Sequence, residues 1–184
     1  VWKKINQIKI DRERDEKNGN WQERIKDLEP DIIVDLICFD PNSAQIMVET
    51  IDQVDIHLLT CGTAWIYGKT CIIPTPETAP RNPQNDYAQK KVDIEKILLS
   101  YTYEGHIQAT LIHPTHITGP GKPFITPFGD NNLKTLQDIM NGKEIYLLDG
   151  GLSTLHHVHP ADIAFLFLRC IEEKDYTIGE CFNC

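Results

Sequence analysis

Apolar runs of strand length, separated by stretches with helical patterning, constrain this chain more than any single motif. Residues 32–39, 56–60 and 109–113 are dominated by aliphatic side chains and are punctuated by Pro30, Gly62 and Pro114. Helical stretches alternate with them: residues 21–28, residues 43–51 after the start signal Pro41-Asn42-Ser43, and a longer segment around Tyr87 that carries Val92, Ile94, Ile97 and Leu98. Strands with continuous rather than alternating apolar character are buried on both faces. The pattern therefore predicts an α/β chain with a parallel sheet covered by helices on both sides. A further short strand is expected at 5–10, ending at Asp11-Arg12.

After Gly121 the style changes. Pro, Gly and Asn dominate residues 120–132, followed by an expected short helix at 133–140. Short strands are expected at 145–148 and 155–159, an apolar helix at 161–171, and a terminal strand around Cys181-Phe182-Asn183. This change divides the chain into residues 1–119 and 120–184.

The residues with chemical potential stand in the first part. Tyr87 and Lys91 are four apart on the expected helix, which puts a phenol and an ammonium on one face. A tyrosine with a pKa of about 10 holds its proton too tightly to be a good base at neutral pH. A fixed positive charge nearby favours the phenolate. Upstream, the strand at 56–60 breaks into the small, hydroxyl-bearing loop Cys61-Gly62-Thr63, followed by Ala64, Trp65, Tyr67 and Gly68. Downstream, His113-Pro114 runs into Thr118-Gly119-Pro120-Gly121.

This order of hydroxyl loop, Tyr-x-x-x-Lys helix, and strand ending in Pro and Gly-Pro-Gly resembles the extended short-chain dehydrogenase/reductases, the NAD-dependent epimerase/dehydratase group. The resemblance covers nearly the whole chain. It implies a Rossmann-like doubly wound parallel sheet, here a partial dinucleotide-binding domain (1–119), with a smaller, partial C-terminal substrate lobe (120–184). No Gly-x-Gly-x-x-Gly occurs in the sequence. In the family that loop follows the first strand and lets backbone approach pyrophosphate. The run at 5–10 then corresponds to strand three. The sheet is expected to be incomplete, without its first two strands, and the chain to be an internal fragment that is also cut after Cys184.

By the same resemblance Tyr87 is the catalytic acid/base, Lys91 lowers its pKa and holds the nicotinamide ribose, and Thr63 hydrogen-bonds the substrate oxygen. Asp11 corresponds to the acidic residue that meets the adenine amino group. Leu36, Ile37 and Cys38 correspond to the segment passing under the cofactor, with Ile37 and Cys38 bulkier than the usual Ala or Gly. Pro114, His116 and Ile117 belong to the loop beside the carboxamide. The cofactor is NAD or NADP, and the substrate is a hydroxyl-bearing, sugar-like small molecule. Family dehydratases follow the Thr with Asp-Glu, whereas Ala64 and Trp65 supply no carboxyl group. Epimerisation or dehydrogenation/reduction is therefore favoured over dehydration. The alternative is a catalytically inactive nucleotide-binding regulatory or scaffold protein of the same fold.

Composition trims the remaining classes. A net charge of −9 argues against a nucleic-acid surface. No apolar run approaches the about 18 residues of a membrane span, and no secretory pattern opens the chain. Six scattered cysteines suit reduced core thiols in a cytoplasm. A homodimer is compatible with all of this. Cys181-x-x-Cys184 lacks a second pair at zinc-like spacing, and His156, His157 and His159 lack supported co-ligands among Asp162, His113 and His116, so no metal is expected.

Overall fold

The computed structural model describes residues 4–70, 72–126, 131–152 and 154–184. Helices α1 (Arg12–Asn18) and α2 (Asn20–Leu28) come first, joined at Gly19, whose φ of +82° gives the turn between them. Strand β1 (Ile32–Asp35), helix α3 (Pro41–Thr50) and strand β2 (His57–Cys61) follow. A 3-10 turn (Ala64–Tyr67) and the long helix α4 (Asp86–Tyr103) lead to β3 (Gln108–His113) and β4 (His116–Ile117). The remainder holds α5 (Leu133–Met140), a 3-10 turn (Leu148–Gly151), β5 (His157–Val158), α6 (Pro160–Glu172), α7 (Lys174–Thr177) and β6 (Cys181–Asn183).

The main sheet has the order β1-β2-β3-β6 and every pairing in it is parallel. The parallel α/β sheet expected from the continuous apolar runs is thus present, with β1 at its edge. One face packs against α3 and α4 through Met47, Val48, Ile51, Leu58, Ile94 and Leu98. The other buries Leu59 and Ile112 beneath Ile163 and Phe167 of α6. Burying each such side chain is worth about 1.5–3 kcal/mol. Strand β6 and helix α6 both come from residues after 120, yet they pair with and cover the main sheet. Strands β4 and β5 form a separate two-stranded parallel ladder.

Several local expectations are corrected. Residues 5–10 form no strand: Ile5 and Ile8 are 50% and 48% exposed. Their apolar spacing is three then two, not the strict period of two that a half-buried strand needs. The strand expected at 32–39 stops at Asp35, where the side chain turns back to accept the Ile37 N–H at 3.1 Å. Residues 145–147 are irregular and lead into a 3-10 turn, and the strand at 155–159 shortens to His157–Val158. Helix α1, with no apolar stripe, was not expected. Asp11 caps it by accepting the Arg14 N–H, with Glu13 and Asp15 in its first turn and Lys17 in its last. No helix among the described residues is long and apolar enough to cross a membrane.

Candidate active site at the carboxyl edge of the sheet

The loop after β2 is tied to the end of β3 residue by residue. Gly62 N donates to Ile112 O at 2.7 Å, Thr63 N to His113 Nδ1 at 3.2 Å, and Ala64 N to Pro114 O at 2.9 Å. Thr63 caps the 3-10 turn, its Oγ1 accepting the Trp65 N–H at 3.3 Å. A hydroxyl that already accepts from the backbone has its own proton left to donate.

Helix α4 faces this loop. Asn85 caps it, accepting the Ala88 N–H at 2.9 Å. Tyr87, Lys91 and Glu95 recur every fourth residue along one face, which is open at its first turn and buried beyond it. Tyr87 is 42% exposed, while Lys91 and Glu95 are buried. Burial pushes the Tyr87 phenol above its ordinary pKa, and the nearby Thr63 hydroxyl partly opposes the rise. Thr63 and Tyr87 thus stand near each other at the carboxyl edge of the sheet.

The hydrogen bonds of the Lys91 ammonium go to backbone carbonyls. Nζ donates to Cys38 O and Cys61 O, both at 2.7 Å, and lies 4.8 Å from the Phe39 ring centroid. Burial draws its pKa down. Lys91 therefore staples the loop after β1 to the end of β2, and two of its three N–H bonds go to those carbonyls.

The other residues singled out in the sequence fall at graded distances from this point. Leu36 and Ile37 are 54% and 55% exposed on the loop that Lys91 anchors. The Cys38 side chain is buried, and burial raises its thiol to about 11, so only its carbonyl takes part. Pro114 is buried beside Ala64. His116 stands with its ring 5.9 Å from Trp65, and Trp65 in turn lies edge-on to Tyr87 at 6.3 Å. Ile117 pairs with Val158 in the small ladder. Asp11 is exposed and occupied as a helix cap, one residue from Arg12, which reaches Asp35 at the end of β1. Among the histidines, His157 Nε2 accepts the Ile125 N–H and His159 Nδ1 accepts the Ala161 N–H.

A second set of residues escaped the sequence analysis. Glu95 Oε1 accepts from Arg81 Nε at 2.8 Å, and Glu95 Oε2 lies 3.0 Å from His113 Nε2. The signals were available: a third residue at the four-residue spacing of Tyr87 and Lys91, and an arginine in the Pro-rich loop before them. Glu95, His113 and Cys181 place potential metal-ligand atoms within 4.8 Å of one another, the one such group among the described residues. Arg81 and His113 already occupy the carboxylate, and burial pushes the Cys181 thiol up to about 12. Among the described residues, two open concavities lie elsewhere, around Gln53 and His106 and behind Tyr67 near Lys69. Trp65, 47% exposed, borders Tyr87, and the exposed Leu36 and Ile37 lie on the loop that Lys91 ties to the end of β2.

Solved structures share this fold. The PbgP3 protein from Burkholderia pseudomallei matches with a TM-score of 0.65 at 20% identity, over 90% of this chain and 57% of its own. UDP-N-acetylglucosamine 4-epimerase from Methanobrevibacter ruminantium M1 matches at 0.68 and 17%, over 92% of this chain and 59% of its own. For dTDP-glucose 4,6-dehydratase from Bacillus anthracis str. Ames the values are 0.69 and 17%, over 92% and 55%. The chain thus spans a little over half the length of these proteins. Residues 13–184 match the NAD dependent epimerase/dehydratase family, and with the parallel sheet and the Tyr-x-x-x-Lys helix at its carboxyl edge, the chain belongs to that family.

Proposed function

We propose that this chain carries the Thr63–Tyr87–Lys91 site of an NAD(P)-dependent epimerase or dehydrogenase/reductase that acts on a hydroxyl-bearing, sugar-like small molecule. The observation that carries this reading is that the Thr63 hydroxyl stands near enough to the Tyr87 phenol at the sheet edge to oppose the rise in its pKa. The exposed Leu36 and Ile37 offer an apolar platform for a flat ring, and Lys91 keeps one N–H for a ribose hydroxyl, so the residues fit a dinucleotide. When bound, that cofactor supplies a hydride acceptor or donor for the carbon bearing the substrate hydroxyl. The dehydratase from B. anthracis was solved with NAD, which supports the cofactor class.

Tyr87 performs the proton transfer. With its pKa raised, it is protonated at neutral pH and suited to donate to a carbonyl oxygen, the reducing direction. The base role needs a stabilised phenolate. The Thr63 hydroxyl contributes toward that, and Lys91 stands one helical turn further along α4. Trp65, where family dehydratases have a carboxylate, leaves no acid/base for eliminating water. Epimerisation or simple dehydrogenation/reduction therefore suits these residues.

The test is Tyr87→Phe, assayed for nicotinamide reduction and for isotope exchange with UDP-glucose, UDP-glucuronic acid and dTDP-glucose. Turnover is expected to fall by roughly 10²–10⁴-fold while cofactor affinity changes little. Full activity in Tyr87→Phe refutes the mechanism. It would favour the second reading, a nucleotide-binding protein without turnover, for which the carbonyl-bound Lys91 is the supporting observation.

A further inference from the structure

We propose that His113, held by Glu95 and Arg81, is a positioning residue that sets Thr63 against Tyr87; this rests on the reading of Thr63 and Tyr87 as the reacting pair. The argument starts from one acceptor. Thr63 N–H points at His113 Nδ1 at 3.2 Å, so that nitrogen must present a lone pair. The imidazole is then neutral, with its proton on Nε2. Nε2 lies 3.0 Å from Glu95 Oε2, an ion-pair contact that sets the carboxylate against the N–H side of the ring. Arg81 keeps the carboxylate ionised from the other side through its 2.8 Å bond to Oε1. Arg81 is itself fixed by the carbonyls of Glu77 and Ala79 and lies 5.0 Å from the Tyr67 ring centroid. The chain of contacts therefore dictates a tautomer at His113 and, through it, the direction of the Thr63 backbone.

Two further facts favour a positioning role over simple core filling. The imidazole is fully buried, with a directional hydrogen bond on one side and a carboxylate 3.0 Å away on the other, which favours one orientation of the ring. The sequence also makes room for it at the loop. A Cβ on Gly62 would sit 2.1 Å from His113 Nδ1, so glycine is needed there for space, not for its backbone conformation. Thr63 follows Gly62 directly. A loop that slides by about 1 Å at a reacting group can lose 10²-fold in rate.

The experiment has an arm that needs no turnover. In the unmodified protein, nitrogen-15 NMR should show His113 as the Nε2-H tautomer, with a through-hydrogen-bond coupling from the Thr63 amide to Nδ1. The Nδ1-H tautomer overturns the proposal. His113→Leu fills the volume without an acceptor, whereas His113→Asn places an amide oxygen near the position of Nδ1. The Thr63 amide should exchange with solvent at least about tenfold faster in His113→Leu, while amides in β2 and β3 keep their protection, and His113→Asn should recover most of the difference. Equal loss in both variants, or loss of protection throughout the sheet, means a structural role only. In the turnover arm, His113→Leu should lower kcat about 10–100-fold with KM little changed, with partial rescue by His113→Asn. If Tyr87→Phe is inactive but His113→Leu keeps full kcat, this inference alone fails. If Tyr87→Phe is fully active, the functional reading fails, and the amide and tautomer measurements still decide the role of His113.

Discussion

Two arginine-centred networks lie at the carboxyl edge of the sheet, and they are built alike. Arg12 holds Glu16 at 2.7 Å and Asp35 through a fork at 2.8 and 2.9 Å, with Ser43 donating to Glu16. Arg81 holds Glu95, which holds His113. Each guanidinium also lies about 5 Å from an aromatic centroid, Trp21 for Arg12 (4.8 Å) and Tyr67 for Arg81 (5.0 Å). Each network ends on a loop N–H: Asp35 accepts from Ile37, and His113 accepts from Thr63. Buried ion pairs are weak evidence for net stability. What tells these two apart is the residue at the end. One sets the exposed platform of Leu36 and Ile37, and the other sets the hydroxyl that meets Tyr87.

The sharpest way to break that comparison is to remove each arginine. Arg12→Met and Arg81→Met both strand buried carboxylates, and each should destabilise the fold by about 3–5 kcal/mol in urea titrations. Under conditions where both variants remain folded, the kinetic effects should divide. Arg12→Met should weaken cofactor binding with kcat nearly kept, because only the platform loop is loosened. Arg81→Met should lower kcat about tenfold with cofactor affinity nearly kept. If both variants lose the same parameter, the two networks do not have separate duties.

The glycines beside the networks sharpen it further, with smaller effects. Gly62→Ala forces a methyl against the His113 ring and the Ile112 carbonyl, 3.3 Å away, and overpacking of this kind costs about 1–3 kcal/mol. Turnover should fall with it. Gly19, between α1 and α2, has open space around it but a φ of +82°. Gly19→Ala should therefore destabilise by roughly 1 kcal/mol through backbone strain, without touching turnover. A thermal melt and a steady-state assay on both variants decide the matter. Equal kinetic damage from the two substitutions would show that the Gly62 contact has no special role.

The same two regions show what could be read from the sequence. The Arg81 side was largely legible. Continuous apolar runs gave the strands that became β2 and β3, and the Tyr87–Lys91 spacing marked α4 and one of its faces. What stayed hidden was where the polar ends go. Lys91 turned to the carbonyls of Cys38 and Cys61, because a buried ammonium takes the nearest acceptors, and no spacing rule says which ones those are. The Arg12 side was largely illegible. Helix α1 has no apolar periodicity, and it buries Asp15 and Glu16 instead of aliphatic residues. A helix held by an ion pair to Asp35 and a hydrogen bond from Ser43 depends on residues more than twenty positions away, beyond any local pattern. The run at 5–10 failed in the opposite sense, since its isoleucines suggested burial that the fold does not give them.

The smallest effect lies in the pH dependence of Glu95. Burial alone would raise the pKa of its carboxyl, but the nearby His113 and the bonded Arg81 outweigh it, and the net shift is downward from 4.5. A carboxyl with a depressed folded pKa binds fewer protons folded than unfolded, so its contribution to stability rises with pH in that interval. The contribution is complete above about 4.5 and is lost as pH falls through the lower folded value. Glu95→Gln keeps the shape and one acceptor but removes the charge, so it should be less stable than the parent at pH 7 and decline less steeply on acidification. Asp40 and Asp138 are lowered by lysine partners at the surface, and they titrate identically in both proteins, so the difference between the two curves isolates Glu95. Urea titrations from pH 7 down to about 3 provide the measurement. Parallel curves would mean that the Glu95 carboxylate is not held ionised by His113 and Arg81, and would remove the charge that faces His113 Nε2.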